Sequence, residues 1–293
     1  MAEHTFESLA RELSRPGVYM LIGGLDTGKT TLAMQAIRNA VQAGLTAVLV
    51  DADVGRTTVG PPACVGMKVF RDRGDLDEID RPDALHFVGT TTPARLVLQQ
   101  VVATAVMTEH ARRAGEVVII DTTAVVTGVS GETLKYHKSE LCRPDGIVAL
   151  QRGEEMEPLV GMLRRFLDVE VTTAPTDPAV EPMPPDERAR RRADAFRRAL
   201  RAPLVTWKVR PTVFAPTLPV GLNPGRLDGV LVGVQDKSGG CLGLGVLSHD
   251  EETLKVQTNV GEGMSGLRLG SIRLDLDTFQ STIINLRELM FGI

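Results

Sequence analysis

From Gly17 to about Arg210, short apolar runs alternate with stretches in which apolar residues recur every three or four positions. Five runs, Val18–Ile22, Ala47–Val50, Leu85–Val88, Val117–Ile120 and Ile147–Leu150, are apolar, the third broken only by His86, and each is bounded by Gly, Asp or Thr. A run without alternation suits a strand covered on both faces, as in a parallel sheet. Lys29–Ala43 sets Leu32, Ala33, Ala36, Ile37, Ala40 and Val41 on one helical stripe. Pro93–Arg113 predicts a second long helix, with Pro93 in its first turn. Shorter helices are predicted over Gly131–Leu141 and Glu154–Leu167. This alternation predicts a doubly wound α/β fold with a mostly parallel sheet.

The texture then changes. Thr173–Pro185 holds Pro175, Pro178, Pro182, Pro184 and Pro185 and reads as a hinge, leading into an arginine-dense helix over Asp186–Leu200. Leu204–Val209 alternates like a strand and is expected to put Trp207 in the core. After Pro211, Leu231–Val234, Leu242–Leu247, Leu254–Thr258 and Ser271–Leu274 predict a small β unit, and Thr278–Phe291 a closing helix. The expected division is an α/β domain over 1–210, with the arginine helix near 186–201, and a small β-rich C-terminal domain over 211–293. No internal repeat is visible.

Composition narrows the classes. Apolar residues make up 43% and charged residues 24%, ordinary for a globular chain. Thirty-three Lys and Arg against 37 Asp and Glu leave a net charge of −4, which excludes a uniformly basic nucleic-acid coat but not a local basic groove. Aromatics are only 4%, so any base-stacking surface is small. Cys64, Cys142 and Cys241 form no C-x-x-C pair and fit a reducing cytosol better than a disulfide or zinc scaffold. Met1–Arg15 carries Glu3, Glu7 and Glu12 and no apolar h-region, unlike a signal peptide. No apolar run reaches the roughly 18 to 20 residues of a membrane span. The expectation is a cytoplasmic protein with no membrane partner.

The strongest chemical signal is Gly23-Gly24-Leu25-Asp26-Thr27-Gly28-Lys29-Thr30, which fits G-x-x-x-x-G-K-[ST] between a predicted strand and a predicted helix. Such a loop wraps backbone amides and a helix N-terminus around phosphates. Gly24, Asp26, Thr27, Gly28, Lys29, Thr30 and Thr31 are the expected nucleotide contacts. Lys29 would reach the β- and γ-phosphates and Thr30 would ligate Mg²⁺. A second cluster, Asp51-Ala52-Asp53-Val54-Gly55-Arg56, ends the next predicted strand. Two carboxylates two apart on a strand point the same way. At the C-terminal edge of a parallel sheet they face the ligand crevice, where one could hold a metal-bound water and the other accept a proton. The plainer alternative is a solvated strand end.

These segments resemble the 5′-hydroxyl polynucleotide kinases that include the kinase of the pre-mRNA cleavage machinery and its ribosomal-RNA-processing relatives. The loop G-x-x-D-x-G-K-T-T is similar to theirs, as is Asp51-Ala52-Asp53-Val54-Gly55 followed by Val59-Gly60-Pro61-Pro62. Asp121-Thr122-Thr123-Ala124-Val125-Val126-Thr127-Gly128 resembles a D-T-T-G-x-x-x-G substrate clasp. Leu141-Cys142-Arg143-Pro144-Asp145, Val148-Ala149-Leu150-Gln151-Arg152, the arginine helix and Arg268–Leu274 continue the likeness, over residues 17 to about 275. The chain departs from the pattern at Arg56, usually Gln, at Ala124, usually Gly, and at Val125, where some relatives carry a stacking aromatic. About sixteen residues precede the first strand, so the likeness is to a compact prokaryotic form without the eukaryotic N-terminal β domain.

The resemblance implies a P-loop NTPase fold and ATP-dependent phosphorylation of 5′-hydroxyl ends of RNA or DNA, with ATP or another nucleoside triphosphate and Mg²⁺. It implies Lys29 and Asp53 as catalytic groups, Asp53 being the general base. Asp51 and Thr30 would support the metal, and Asp53, Arg56, Thr122, Thr123, Gly128 and Lys135 would hold substrate. Arg192 and Arg198 match the family's lid arginines. Seven arginines, Arg188, Arg190, Arg191, Arg192, Arg197, Arg198 and Arg201, form the only dense basic patch. Taken alone such a run is a solvated helix face; beside a hinge and a phosphate loop it also suits a lid that neutralises a transferring phosphoryl group. Thr90–Thr92 could contact a polynucleotide backbone or cap a helix, and His137 reads as a surface residue. An alternative function is a nucleotide-dependent RNA-binding regulator or scaffold with little transfer. A small-molecule kinase or ParA-like ATPase fits less well, because Gly24 and Leu25 occupy the place of the ParA-like extra lysine.

Overall fold

The computed structural model describes residues 5–176, 180–250 and 253–291. Met1, Glu3 and, in the proline-rich stretch, Pro178 lie outside them.

Seven strands form the first sheet: β1 (Gly17–Gly23), β2 (Ala47–Ala52), β3 (Cys64–Phe70), β4 (Ala84–Phe87), β5 (Val117–Thr122), β6 (Gly146–Gln151) and β7 (Glu170–Pro175). Their order is β4-β3-β2-β5-β1-β6-β7. β2, β5, β1, β6 and β7 run parallel, and β3 pairs antiparallel with both its neighbours. The helices are α1 (Phe6–Glu12), α2 (Lys29–Gln42), α3 (Val97–Ala114), α4 (Gly128–Cys142), α5 (Glu157–Phe166) and α6 (Pro185–Ala199). Side chains alternate across each strand, so the sheet feeds two cores. Val18, Met20 and Ile22 of β1 pack with Ala103, Met107 and Leu159 of α3 and α5 on one face. Leu21 packs with Leu9, Leu32 and Ile37 of α1 and α2 on the other.

The second sheet holds β8 (Val205–Lys208), β9 (Phe214–Ala215), β10 (Val230–Gln235), β11 (Cys241–Asp250), β12 (Thr253–Thr258), β13 (Gly266–Leu274) and β14 (Ser281–Ile283), followed by α7 (Leu286–Phe291). Its first strand, β8, comes from before residue 211. The two sheets meet at Phe87. A Cβ on Gly233 would stand 2.4 Å from the Phe87 ring, so that position must be glycine for the ring to seat; one on Gly270 would stand 2.8 Å from the Leu231 carbonyl and 3.1 Å from the ring. Beside it, the Gly89 carbonyl accepts from Ser271 N (2.7 Å) and Ser271 Oγ (3.1 Å).

Four expectations are corrected. Pro93 is not in the first turn of α3, which starts at Val97: Leu96 is left-handed (φ 50°), and the Gln100 amide donates to the Pro93 and Arg95 carbonyls, holding this stretch as a loop. Thr173–Pro175 belong to β7, because β6 pairs with them in parallel. Trp207 is 40% exposed on the edge strand β8, so it is not core. The closing helix is confined to Leu286–Phe291, since the Asp275 carboxylate caps a turn at Asp277 and Thr278 and Ser281–Ile283 then pair with β13. Among the described residues no helix is long and apolar enough to cross a membrane.

Candidate active site

β1 lies between β5 and β6, and the carboxyl ends of β1, β2 and β5 open together onto a crevice of about 730 Å³. The loop after β1 turns through Asp26 (φ 51°) and Gly28 (φ 89°), both left-handed, and Gly28 caps α2. A Cβ on Gly23 would stand 2.6 Å from the Leu150 carbonyl and 2.7 Å from Thr27 Oγ1, so only glycine lets the loop fold this tightly. Amides and the helix N-terminus therefore face the crevice, a cradle for phosphate. The Lys29 ammonium donates to the loop's own carbonyls at Gly23 (2.9 Å) and Gly24 (2.7 Å). Burial lowers its pKa, against the pull of Asp121 and Asp53.

The register puts Asp51 of β2 directly beside Asp121 of β5. They differ in what they hold. Thr30 Oγ1 donates to Asp121 Oδ2 at 2.6 Å, while Asp121 Oδ1 is buried with no partner among the described residues. Asp51 Oδ1 accepts from Asp53 N (3.0 Å), and its Oδ2 from the N–H groups of Thr58 and Val59. Burial, reinforced by neighbouring Asp121, pushes the Asp51 carboxyl up to about 8, and burial raises Asp121 also. Asp53 lines the crevice, its Oδ1 accepting from Gly55 N (3.1 Å) and Arg56 N (3.2 Å).

Asp26 gathers cations from two sides. Arg56 donates to its Oδ1 at 2.9 Å and Arg188 of α6 to its Oδ2 at 3.1 Å, where Met183 N also donates. Arg152, at the end of β6, donates to the carbonyls of Leu25 (3.0 Å) and Asp26 (2.7 Å) and braces the loop from below. Arg192 and Arg198 face the crevice and make no ion pair among the described residues.

The crevice thus brings together Asp26, Thr27, Gly28, Lys29, Thr30, Thr31, Asp53, Arg56, Arg192 and Arg198. It does not bring in Asp51, Thr122, Thr123, Gly128 or Lys135. Thr122 Oγ1 donates to the Leu21 carbonyl across β5 and β1, and the Lys135 ammonium donates to Thr123 O (2.6 Å) and Oγ1 (2.9 Å). Both threonines, Lys135 and Asp51 are buried beneath the crevice, whose wall is Ala124 and Val125 instead. Gly128 is exposed and left-handed (φ 70°) where α4 begins. Gly24 takes part through its carbonyl. His137 is half-exposed beside Glu140.

Sequence reasoning missed Asp121, Arg152 and Lys138. Lys138, wholly buried, donates to the Ala52 carbonyl at 3.3 Å, and burial pushes its pKa down to about 8. Only the position of Asp121, an aspartate ending a buried strand, could have marked it. The Thr30 hydroxyl and the orphaned Asp121 Oδ1 are hard oxygen donors, the set that suits Mg²⁺.

A phosphate cradle on the central strand of a doubly wound sheet, with a carboxylate on the neighbouring strand, defines a P-loop NTPase. The chain belongs to the family described as mRNA cleavage and polyadenylation factor CLP1 P-loop, whose model matches residues 23–200. It is similar to proteins named polyribonucleotide 5′-hydroxyl-kinase from three archaea. The Pyrococcus horikoshii protein is 35% identical over 50% of this chain, a match spanning 41% of that protein's length. The Thermococcus kodakarensis protein is 29% identical over 92% of this chain and 91% of its own. The Methanocaldococcus jannaschii protein is 24% identical over 93% and 92%. The fold resembles that of wild-type Clp1p in complex with Pcf11p (TM-score 0.64, 12% identity, 91% of this chain and 77% of that one).

Proposed function

We propose that the chain is a kinase that transfers the γ-phosphoryl group of ATP to the 5′-hydroxyl end of RNA, the substrate class in its archaeal relatives' names. The observation that carries this reading is the shared crevice of Lys29, Asp53, Arg192 and Arg198. Asp53 Oδ2 makes no hydrogen bond among the described residues, while Oδ1 anchors the following loop. That leaves one carboxylate oxygen to accept the proton of the attacking hydroxyl. The hydroxyl oxygen bonds to the γ-phosphorus as the bond to the β,γ-bridging oxygen breaks and ADP leaves. Lys29 exchanges its loop carbonyls for phosphate oxygens, and Arg192 and Arg198 neutralise charge on the transferring group. Thr30 and Asp121 would hold Mg²⁺, which would supply charge neutralisation at the phosphates. Beneath the site, Asp51 and Lys138 shape the segment that presents Asp53.

Incubation of the purified protein with γ-labelled ATP and a 5′-hydroxyl oligoribonucleotide tests this. Label on the oligonucleotide end is the expected result. Tight ATP binding without transfer would favour the regulator or scaffold reading, and label released only as inorganic phosphate would make it an ATPase.

A further inference from the structure

Behind α6, on the side away from Asp53, runs a second groove of about 480 Å³. One wall is α6, through Arg190, Arg192 and Arg197; the other is the stretch Thr278–Ser281 before and into β14. Arg192 and Asp194 line both this groove and the crevice, so the two adjoin at the helix they share. Three guanidiniums face one carboxylate, Asp194, which pairs with Arg197. Arg190 and Arg192 have no acidic partner among the described residues. Ala189 and Ala193, one helical turn apart, leave the helix side of the groove low between the arginines. The facing wall is neutral, with the Gln280 amide and the Thr278 and Ser281 hydroxyls. It is also firmly held: the Arg197 guanidinium lies 5.1 Å from the Phe279 ring centroid, and Phe279 packs against the cluster that contains Phe196 and Leu200 of α6.

We infer that this groove carries the RNA strand beyond its first two nucleotides, so that α6 serves two successive stretches of one substrate. This rests on the kinase reading above. A polynucleotide whose terminal hydroxyl sits at Asp53 must leave the crevice, and the exit past Arg192 leads between cations set for phosphates and neutral hydrogen-bonding groups set for sugars and bases. A free anion would need no such length.

Two variants test it, one on each wall: Arg190→Ala and Gln280→Glu. Neither residue lines the crevice, and both side chains are exposed, so folding is preserved. Transfer is measured on a 5′-hydroxyl dinucleotide and on a twelve-nucleotide RNA, across a salt series. The expected result is a several-fold higher KM for the longer RNA in both variants, with its kcat and both constants for the dinucleotide unchanged. Loss of the Arg190 phosphate contact should also flatten the salt slope by about 0.7. An unchanged KM for the longer RNA, or an equal change for the dinucleotide, overturns the groove and leaves the kinase reading standing. So does an effect of Arg190→Ala alone, which makes the helix a diffuse basic patch. Absence of transfer to either RNA by the unaltered protein overturns the kinase reading, and the groove with it.

Discussion

Asp26 in the phosphate loop and Arg188 in α6, 162 positions apart, form an ion pair of 3.1 Å whose carboxylate is almost fully shielded from solvent. Because Arg56 holds the other oxygen, one acidic side chain fastens the helix to the loop and the loop to the Asp53 segment. The pair separates Arg188 from Arg192 and Arg198, which face the crevice without acidic partners.

That difference in partners predicts different kinetics. Arg192→Ala and Arg198→Ala should lower kcat and kcat/KM together, by about 10²-fold, as loss of a contact made in the transition state does. Arg188→Ala should act chiefly on KM, through a looser helix, with kcat changing far less. Steady-state kinetics on one oligonucleotide distinguishes them; a pure KM effect in all three variants would make α6 a docking surface.

Asp53→Asn should cut turnover by about 10²-fold or more while ATP affinity stays near normal. The amide oxygen can still accept from Gly55 N and Arg56 N, so the loop keeps its shape. Titration calorimetry with a nonhydrolysable ATP analogue, alongside the transfer assay, checks both halves. Loss of ATP binding would move the base role elsewhere.

Asp121→Asn should raise the Mg²⁺ concentration needed for half-maximal transfer by at least about 10- to 100-fold, since even a group that only orients a metal ligand is typically worth that much. Thr30 keeps an acceptor at this position but the ion loses a charged donor. An unchanged Mg²⁺ requirement would place the metal elsewhere.

Asp51 makes stability depend on pH. Its folded pKa is about 8, raised from the ordinary 3.8. The folded state therefore holds a proton that the unfolded chain has lost between those values, and stability falls as pH rises through the window. Without divalent cations, the unfolding temperature should decline from pH 5 to pH 8. Asp51→Asn should be less stable at pH 5, where an amide nitrogen replaces one acceptor, but should show a flatter decline. An equal slope in the two proteins would refute this.

Much of the site was legible because its parts are contiguous. The phosphate loop declares its chemistry in eight residues, and four strands are unbroken apolar runs with a fifth interrupted only by His86. β3 escaped because Gly66 and Lys68 interrupt it. In the folded chain Gly66 lies under the Val59 carbonyl, 2.3 Å from where a Cβ would be, and Lys68 is buried 3.9 Å from Asp83. Linear patterns carry no trace of such neighbours. β7 escaped because it is a half-exposed edge strand running into prolines. Thr122, Thr123 and Lys135 were expected to hold substrate but lie buried beneath the crevice, because whether a side chain at a strand end points into a crevice or under it depends on register with β1 and on α4. The meeting of Thr30 with Asp121, 91 positions away, is likewise a product of strand order.

The seating of Phe87 between Gly233 and Gly270 bears on how the molecule comes apart. A buried ring at the junction, flanked by two hydrogen bonds to one carbonyl, makes separation of the sheets costly. Opening them would expose Phe87 and leave Gly89 O without its partners. The Gly89 carbonyl is one residue from Thr90, and Thr91 is in the crevice wall, so the anchor lies within two positions of the site. Loss of the second sheet would thereby disturb the crevice wall at Thr91, so the site's integrity draws on a sheet that supplies none of its chemistry.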